Sequence, residues 1–232
     1  MTKIKEIEEF YSECMNCDAT KNECPMALKN RKTGYVPRGF HYESPNIKLL
    51  VVGKNPGHLL DGEGKLYINK IGKKLVEIHN NIHKEYYNGL IFRKQENPYK
   101  EKSNTFHKNL FRYTSFILDL PKDMVYSQMA HTNIFKCSTK HEQQKLKEGD
   151  ILFCYSKFFL RELALFKPKA ILALGREVES FLKKRQEEIS DKLCYDFSNR
   201  IIYIKHPSYY YNKKSEEEEL KKIKQKIKTA LY

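Results

Sequence analysis

Apolar residues recur along this chain in two rhythms, one with a helical period and one in short unbroken runs. Over residues 1–14, Ile4, Ile7, Phe10 and Tyr11 fall on one face, which predicts a short amphipathic helix. Residues 47–53, IKLLVVG, form a continuous apolar run closed by glycine, the pattern of a strand buried on both faces. GKNPG at 53–57 then predicts a sharp turn. Leu66, Ile71, Leu75 and Ile78 space a helix over 66–79. Residues 80–104 are polar and without period, the mark of a surface insertion, and 105–119 return to helical spacing. A second strand is expected over 125–135, VYSQMAHTNIF, and a long helix carrying Cys154 over 145–166. AILALG at 170–175 reads as a third strand, followed by a helix at 176–187, and RIIYIK at 200–205 as a fourth. The tail predicts a helix over 215–231, with Ser215 and Glu218 as a capping box.

Strands that alternate with helices predict an α/β fold. The expected architecture is a three-layer α/β/α sandwich around a mostly parallel, four-stranded sheet. Residues 1–232 read as a single domain, with a cysteine-bearing segment at 1–45, the insertion at 80–104 and the C-terminal helix at 215–231. In such sheets ligands bind beyond the carboxyl ends of the strands. Three unusual segments fall at such ends: GKNPG, TNIFKC and HPS.

Composition narrows the function. The chain of 232 residues is 40% hydrophobic and 12% aromatic, enough for a packed core and far from a disordered composition. No window approaches the roughly 18 apolar residues of a membrane span. The N-terminus is too charged for a signal peptide, and no repeat period appears. A net charge of +14 points to a polyanionic partner, with nucleic acid first. The bases are mostly lysine, and the richness in Lys, Ile, Asn and Tyr is also what an AT-rich genome favours, so charge alone settles nothing. Six cysteines in a chain of this size and character suit a reducing cytoplasm, where grouped cysteines bind metal or a cluster more often than they pair.

Four groups of residues carry candidate chemistry. In GKNPG, two glycines and a proline fix the turn and let a ligand approach the backbone, and Asn55 has an amide able to position a water. Asn133, in TNIFKC, offers a donor and an acceptor that suit a base edge such as O4 and N3–H of uracil. His206, in HPS, sits where a histidine can donate to a developing anion. Cys14 and Cys17 form a CxxC that, with the interior Cys137 and Cys154, gives four thiolates suited to an iron–sulfur cubane or a structural zinc. Each has an ordinary structural reading as well: an Asn-Pro turn, a strand-terminal asparagine, a scattered histidine and buried free thiols.

Taken in order, these segments resemble the uracil-DNA glycosylase superfamily, and most nearly its iron–sulfur branch. The likeness rests on CMNC at 14–17, LLVVGKNPG at 49–57, GKLYINKIGKKL at 64–75, HTNIFKC at 131–137, Cys154, ILALG at 171–175 and KHPS at 205–208. It implies a [4Fe–4S] cluster on Cys14, Cys17, Cys137 and Cys154, with Cys24 near enough to replace one ligand and zinc as the other candidate. It implies that Asn55 orients the attacking water, that Tyr67 stacks on a flipped base, that Asn133 reads its edge and that His206 stabilises the departing base. It implies that Lys54 contacts the base and that backbone amides near it stabilise the base anion. Lys136, Ser208, Tyr209, Lys213 and Lys214, with Lys205, would face DNA, and Tyr209–Tyr211 would wedge into the gap.

This chain departs from the branch at four places, one of them the insertion at 80–104. Lys54 stands where the branch has glutamate, and Asn55 instead resembles the mismatch-specific uracil/thymine glycosylases. Tyr67 replaces a phenylalanine. The residues after HPS, Tyr209 to Lys214, are not the usual strand-invading loop. The implied activity is monofunctional base excision in DNA repair by a cytoplasmic monomer that acts on damaged or deaminated DNA and not at a membrane. The base stays open among uracil, a deaminated purine and another modified base. A non-catalytic nucleic-acid binder of the same fold, an enzyme on free nucleotides and an unrelated zinc protein are the rival readings.

Overall fold

A computed structural model describes residues 3–15, 40–56, 101–137, 146–208 and 213–231. The expected helix at 66–79 and the stretch 80–100 lie outside the described residues, as do Cys17, Cys24, Tyr67 and Tyr209–Tyr211. The chain order is α1 (Lys3–Met15), β1 (Phe40–His41), β2 (Leu49–Gly53), α2 (Glu101–Leu118), a 3-10 turn (Lys122–Ser127) and β3 (Met129–Asn133). There follow α3 (Glu148–Cys154), a π turn (Tyr155–Phe159), α4 (Leu160–Phe166), β4 (Ala170–Leu174), α5 (Arg176–Lys183), α6 (Gln186–Leu193), β5 (Ile201–Ile204) and α7 (Lys213–Leu231).

Four strands, β2 to β5, run parallel, and the two-residue β1 adds an antiparallel edge to β3, giving the order β1-β3-β2-β4-β5. The expected α/β sandwich with a parallel four-stranded core is therefore present. The continuous apolar runs are explained by burial on both faces. Leu50, Val52, Ala130, Ile171, Ala173 and Ile201 pack against α1, α3–α4, α5 and α6. Leu49, Val51, Met129, Leu172, Ile202 and Ile204 pack against α2 and α7. Successive strand residues point to opposite faces, so each run feeds both cores.

The connection from β2 leads to β3 on one side, and that from β4 leads to β5 on the other. This divergence makes a topological switch point at the carboxyl ends of β2 and β4, where such folds form the crevice that binds ligands. The β4–α5 turn there requires a left-handed residue. Gly175 has φ +96°, donates its N–H to Ile204 O at 2.8 Å and accepts from Glu179 N at 3.1 Å.

Several boundaries differ from the sequence reading. The strand expected over 125–135 is a strand only at 129–133, because Pro121 opens a 3-10 turn that buries Val125 and Tyr126 before extended backbone begins. The long helix at 145–166 is interrupted by the π turn, which places Tyr155, Phe158 and Phe159 in the core. The helix expected at 105–119 starts at Glu101, inside the expected insertion, and the one expected at 176–187 ends at Lys183 before a separate α6. The C-terminal helix, expected to begin at Ser215, starts at Lys213. Glu216 reaches α2, accepting from Arg112 at 2.7 Å and Tyr113 at 2.8 Å.

Candidate active site

The site is built where β2, β3 and β5 end. The backbone dovetails there before any side chain is considered. Ile134 N donates to Gly53 O at 3.0 Å and Phe135 N to Lys54 O at 2.9 Å, which locks the segment after β3 onto the turn after β2. Asn55 follows on that turn, half-buried, with Pro56 behind it. Asn133 is the register partner of Gly53 and is buried. A β-carbon on Gly53 would collide with Asn133 Oδ1, so the absence of a side chain at 53 is what gives the asparagine amide its place.

Strand alternation puts Asn133 in step with Met129 and His131 on the α2 side of the sheet. His206, just past β5, lies on that side too. Phe106 of α2 packs between the two histidines, its ring centroid 5.7 Å from His131 and 5.2 Å from His206. Asn109, one turn along α2, donates from Nδ2 to Pro207 O at 2.7 Å. The helix thus braces the HPS segment with one aromatic and one amide.

The protonation of His206 follows from its surroundings. The Ser208 N–H donates to Nδ1 at 3.3 Å, so Nδ1 is the acceptor nitrogen and Nε2 carries the proton in the neutral ring. Burial pushes the imidazole pKa below its ordinary value, which favours that neutral ring. A neutral imidazole protonated on Nε2 can donate to a developing anion.

Lys54 projects across the crevice, and its Nζ lies 2.6 Å from Glu177 Oε2 in the first turn of α5. Both groups are well exposed, so the pair ties the turn to the helix without sealing either charge. Lys205 is half-buried and Ser208 exposed beside the histidine. The side chains of Lys213 and Lys214 lie outside the described residues, although both residues belong to α7.

One predicted DNA contact is corrected. Lys136 does not face a phosphate. It is 1% exposed, and its Nζ lies 2.6 Å from Glu162 Oε2 and 2.6 Å from Thr132 Oγ1, over the Phe159 ring. The carboxylate that draws it inward is 26 residues away in sequence.

The chain's family is decided over most of its length. A model of the uracil DNA glycosylase superfamily matches residues 40–228, from β1 almost to the end of α7. The chain belongs to the uracil DNA glycosylase superfamily. No protein of curated function matches it. The superfamily match contains every candidate site residue except Cys14, Cys17 and the alternative ligand Cys24, and it leaves α1 outside.

The cysteines divide accordingly. Cys14, Cys137 and Cys154 are buried in one core layer, at the ends of α1, the β3 loop and α3. Among the described residues, no three His, Cys, Asp or Glu side chains are gathered tightly enough to hold a metal ion. Cys17, the fourth expected ligand, lies outside the described residues.

Sequence reasoning missed Phe106 and Asn109. Their signal was present as a three-residue spacing on an expected helix, but nothing local says that this face meets the end of the last strand. A groove of about 800 Å³ between α5, β5 and α7 contains none of the candidate residues. Within it Arg176 and Lys183 both pair with Glu179.

Proposed function

We propose that this chain is a monofunctional DNA glycosylase. It hydrolyses the N-glycosidic bond of uracil, or of another deaminated or modified base, and leaves an abasic site. One observation supports the reading within its superfamily: Asn55, the buried Asn133 and His206 lie at or just past the carboxyl ends of β2, β3 and β5 of one parallel sheet, and Phe106 of α2 packs against both His206 and His131 of β3.

A base inside a duplex must be flipped out before its glycosidic bond can be reached, at a cost of a few kcal/mol that is lowest for mispaired or damaged bases. Asn133 then offers donor and acceptor to the base edge, and Tyr67 stacks on its face. Bond breaking builds positive charge on the sugar and negative charge on the base. Nε2–H of His206 donates to that negative charge, and being neutral it needs no prior protonation. The Asn55 amide holds a water against C1′ of the sugar. The water oxygen bonds to C1′, the base departs with the bonding electron pair, and the water's surplus proton passes to solvent. Asparagine positions and does not deprotonate, so the reaction draws its force from the stabilised leaving group. Lys205, Ser208, Tyr209, Lys213 and Lys214 form the DNA side of this reading. No lysine nucleophile enters.

Cys14, Cys17, Cys137 and Cys154 belong to the same proposal as ligands of a [4Fe–4S] cluster, with zinc as the other candidate. The support is the burial of three of these thiols in one core layer. A bound cluster would supply a cross-link between α1, the β3 loop and α3. Iron, sulfide and zinc content of anaerobically purified protein distinguishes the two.

The activity test uses end-labelled single- and double-stranded oligonucleotides that carry uracil, hypoxanthine or xanthine, followed by hot alkali. Cleavage that vanishes in Asn55→Ala and His206→Ala is the expected result. DNA binding without cleavage of any base would replace this reading with a non-catalytic member of the superfamily.

A further inference from the structure

Glu162 of α4 is fully buried, and three side chains, from α1, β3 and the loop after β3, converge on it. Tyr11 of α1 donates its hydroxyl to Oε1. Thr132 Oγ1 lies 2.8 Å from Oε1 and 2.9 Å from Oε2. Lys136 Nζ lies 2.6 Å from Oε2 and donates to Thr132 Oγ1 at 2.6 Å. Burial and the neighbouring carboxylate push the Tyr11 pKa upward, so its phenol stays a donor.

Two of these partners flank Asn133 in sequence. Thr132 precedes it and Lys136 follows by three residues. The segment between them is the one whose backbone is locked to Gly53 and Lys54. The strand alternation turns Thr132 towards the α1–α4 layer and Asn133 towards the α2 layer. One carboxylate below the sheet therefore holds both ends of the segment that presents the asparagine above it.

We infer that Glu162, acting through Thr132 and Lys136, is the positioning residue for Asn133. Packing alone does not call for charge here. A buried ion pair is costly to desolvate, and an apolar pair of similar volume often serves stability as well or better. A pair that joins the two ends of one recognition segment sets the geometry of what lies between them, and a site loose by a fraction of an ångström loses discrimination. The inference about the amide stands on the structure. Only its consequence for base choice rests on the glycosylase reading.

The test compares the wild type with Lys136→Met/Glu162→Leu, which removes both charges together, and with Thr132→Val, which is nearly isosteric and cuts the hydroxyl link while keeping the ion pair. The first readout is the pair of Asn133 side-chain amide signals in a ¹H–¹⁵N spectrum, assigned by their loss in Asn133→Asp. In a variant that folds, the signals should collapse towards those of a solvent-exposed asparagine, with exchange at least about tenfold faster. The second readout is the ratio of kcat/KM for uracil over thymine in matched oligonucleotides. It should fall about tenfold, chiefly through KM for uracil, with kcat changed less than about threefold.

If Lys136→Met/Glu162→Leu does not fold, Thr132→Val is read alone. A folded variant that keeps the Asn133 signals of the wild type overturns the proposal. Absence of base excision by the wild type would overturn the glycosylase reading, and the spectrum would still decide the role of Glu162.

Discussion

Gly53 and Asn133 are register partners across β2 and β3, and Asn133 Oδ1 occupies the volume that any side chain at position 53 would need. The relationship separates stability from recognition. In Gly53→Ala the colliding atom is the end of a side chain, so it can swing away, and alanine is the better residue for a strand. Stability should change by no more than about 1 kcal/mol. The Asn133 amide, however, would leave its place against the turn. The expected outcome is a fall of about 100-fold in kcat/KM with a nearly unchanged Tm, the loss expected for one misaligned buried recognition group. Unchanged kcat/KM in a folded Gly53→Ala protein would show that Asn133 does not read the base.

The protonation of His206 gives a pH dependence with a definite sign. Burial lowers its pKa, and the form that works in the proposed mechanism is the neutral ring. The acid limb of the pH–kcat/KM profile should therefore lie below the ordinary histidine value. The same displacement affects stability in the same direction. As pH falls, the unfolded chain takes up its proton before the native one does. The native state is thus fully favoured above the ordinary pKa and loses ground as pH drops through it. His41, whose pKa burial also lowers, adds to the loss. In His206→Ala the acid limb should vanish and kcat should drop by about 100- to 1,000-fold, the range for one donor to a developing anion. An acid limb that persists in His206→Ala would assign it to another group.

Asn109 and Phe106 make the histidine's placement depend on α2. Asn109→Ala removes the donor to Pro207 O, and a net loss of about 1 kcal/mol in stability is expected for one such bond. Phe106→Ala leaves a gap beside both His131 and His206. Its expected signature is a kcat reduced about tenfold or more, with the acid limb shifted towards the ordinary histidine value as water reaches the ring. A stability loss with kcat and pH profile intact would mean that α2 supports the fold but not the site.

The sequence pattern showed three of the four parallel strands plainly, because apolar runs buried on both faces leave little ambiguity, whereas β3, MAHTN, is no such run. The elements that the pattern misjudged are those decided by distant partners. Lys136 reads locally as a basic residue near a strand end, where a phosphate contact is the natural inference. Its burial depends on Glu162, which the α4 helix brings beneath β3. Glu216 looks like part of a solvated acidic run and is instead clasped by Arg112 and Tyr113 from a helix about 100 residues earlier. The π turn at Tyr155–Phe159 leaves no mark in helical spacing, since the residues before and after it still point inward. Asn55, Asn133 and His206 stood out as candidates because each lies at or just past the end of a strand, and parallel topology puts such ends along one edge of the sheet whatever the loops do.

Lys54 is the residue whose role the neighbouring charge controls. Its pairing with Glu177 is an exposed one, worth at most about 1 kcal/mol, so Glu177→Gln should leave Tm almost unchanged. The variant removes an anion from the mouth of the crevice and releases an ammonium there. Binding to a short duplex should tighten. The slope of log K against log salt should also steepen by nearly one unit as Lys54 takes up a phosphate. Fluorescence anisotropy between 50 and 200 mM salt covers the range in which such contacts are read. Lys54→Ala in the Glu177→Gln background should return both quantities to or below the wild-type level. Equal slopes in wild type and Glu177→Gln would place Lys54 away from the DNA path and leave its bond to Glu177 as a tie between the β2 turn and α5.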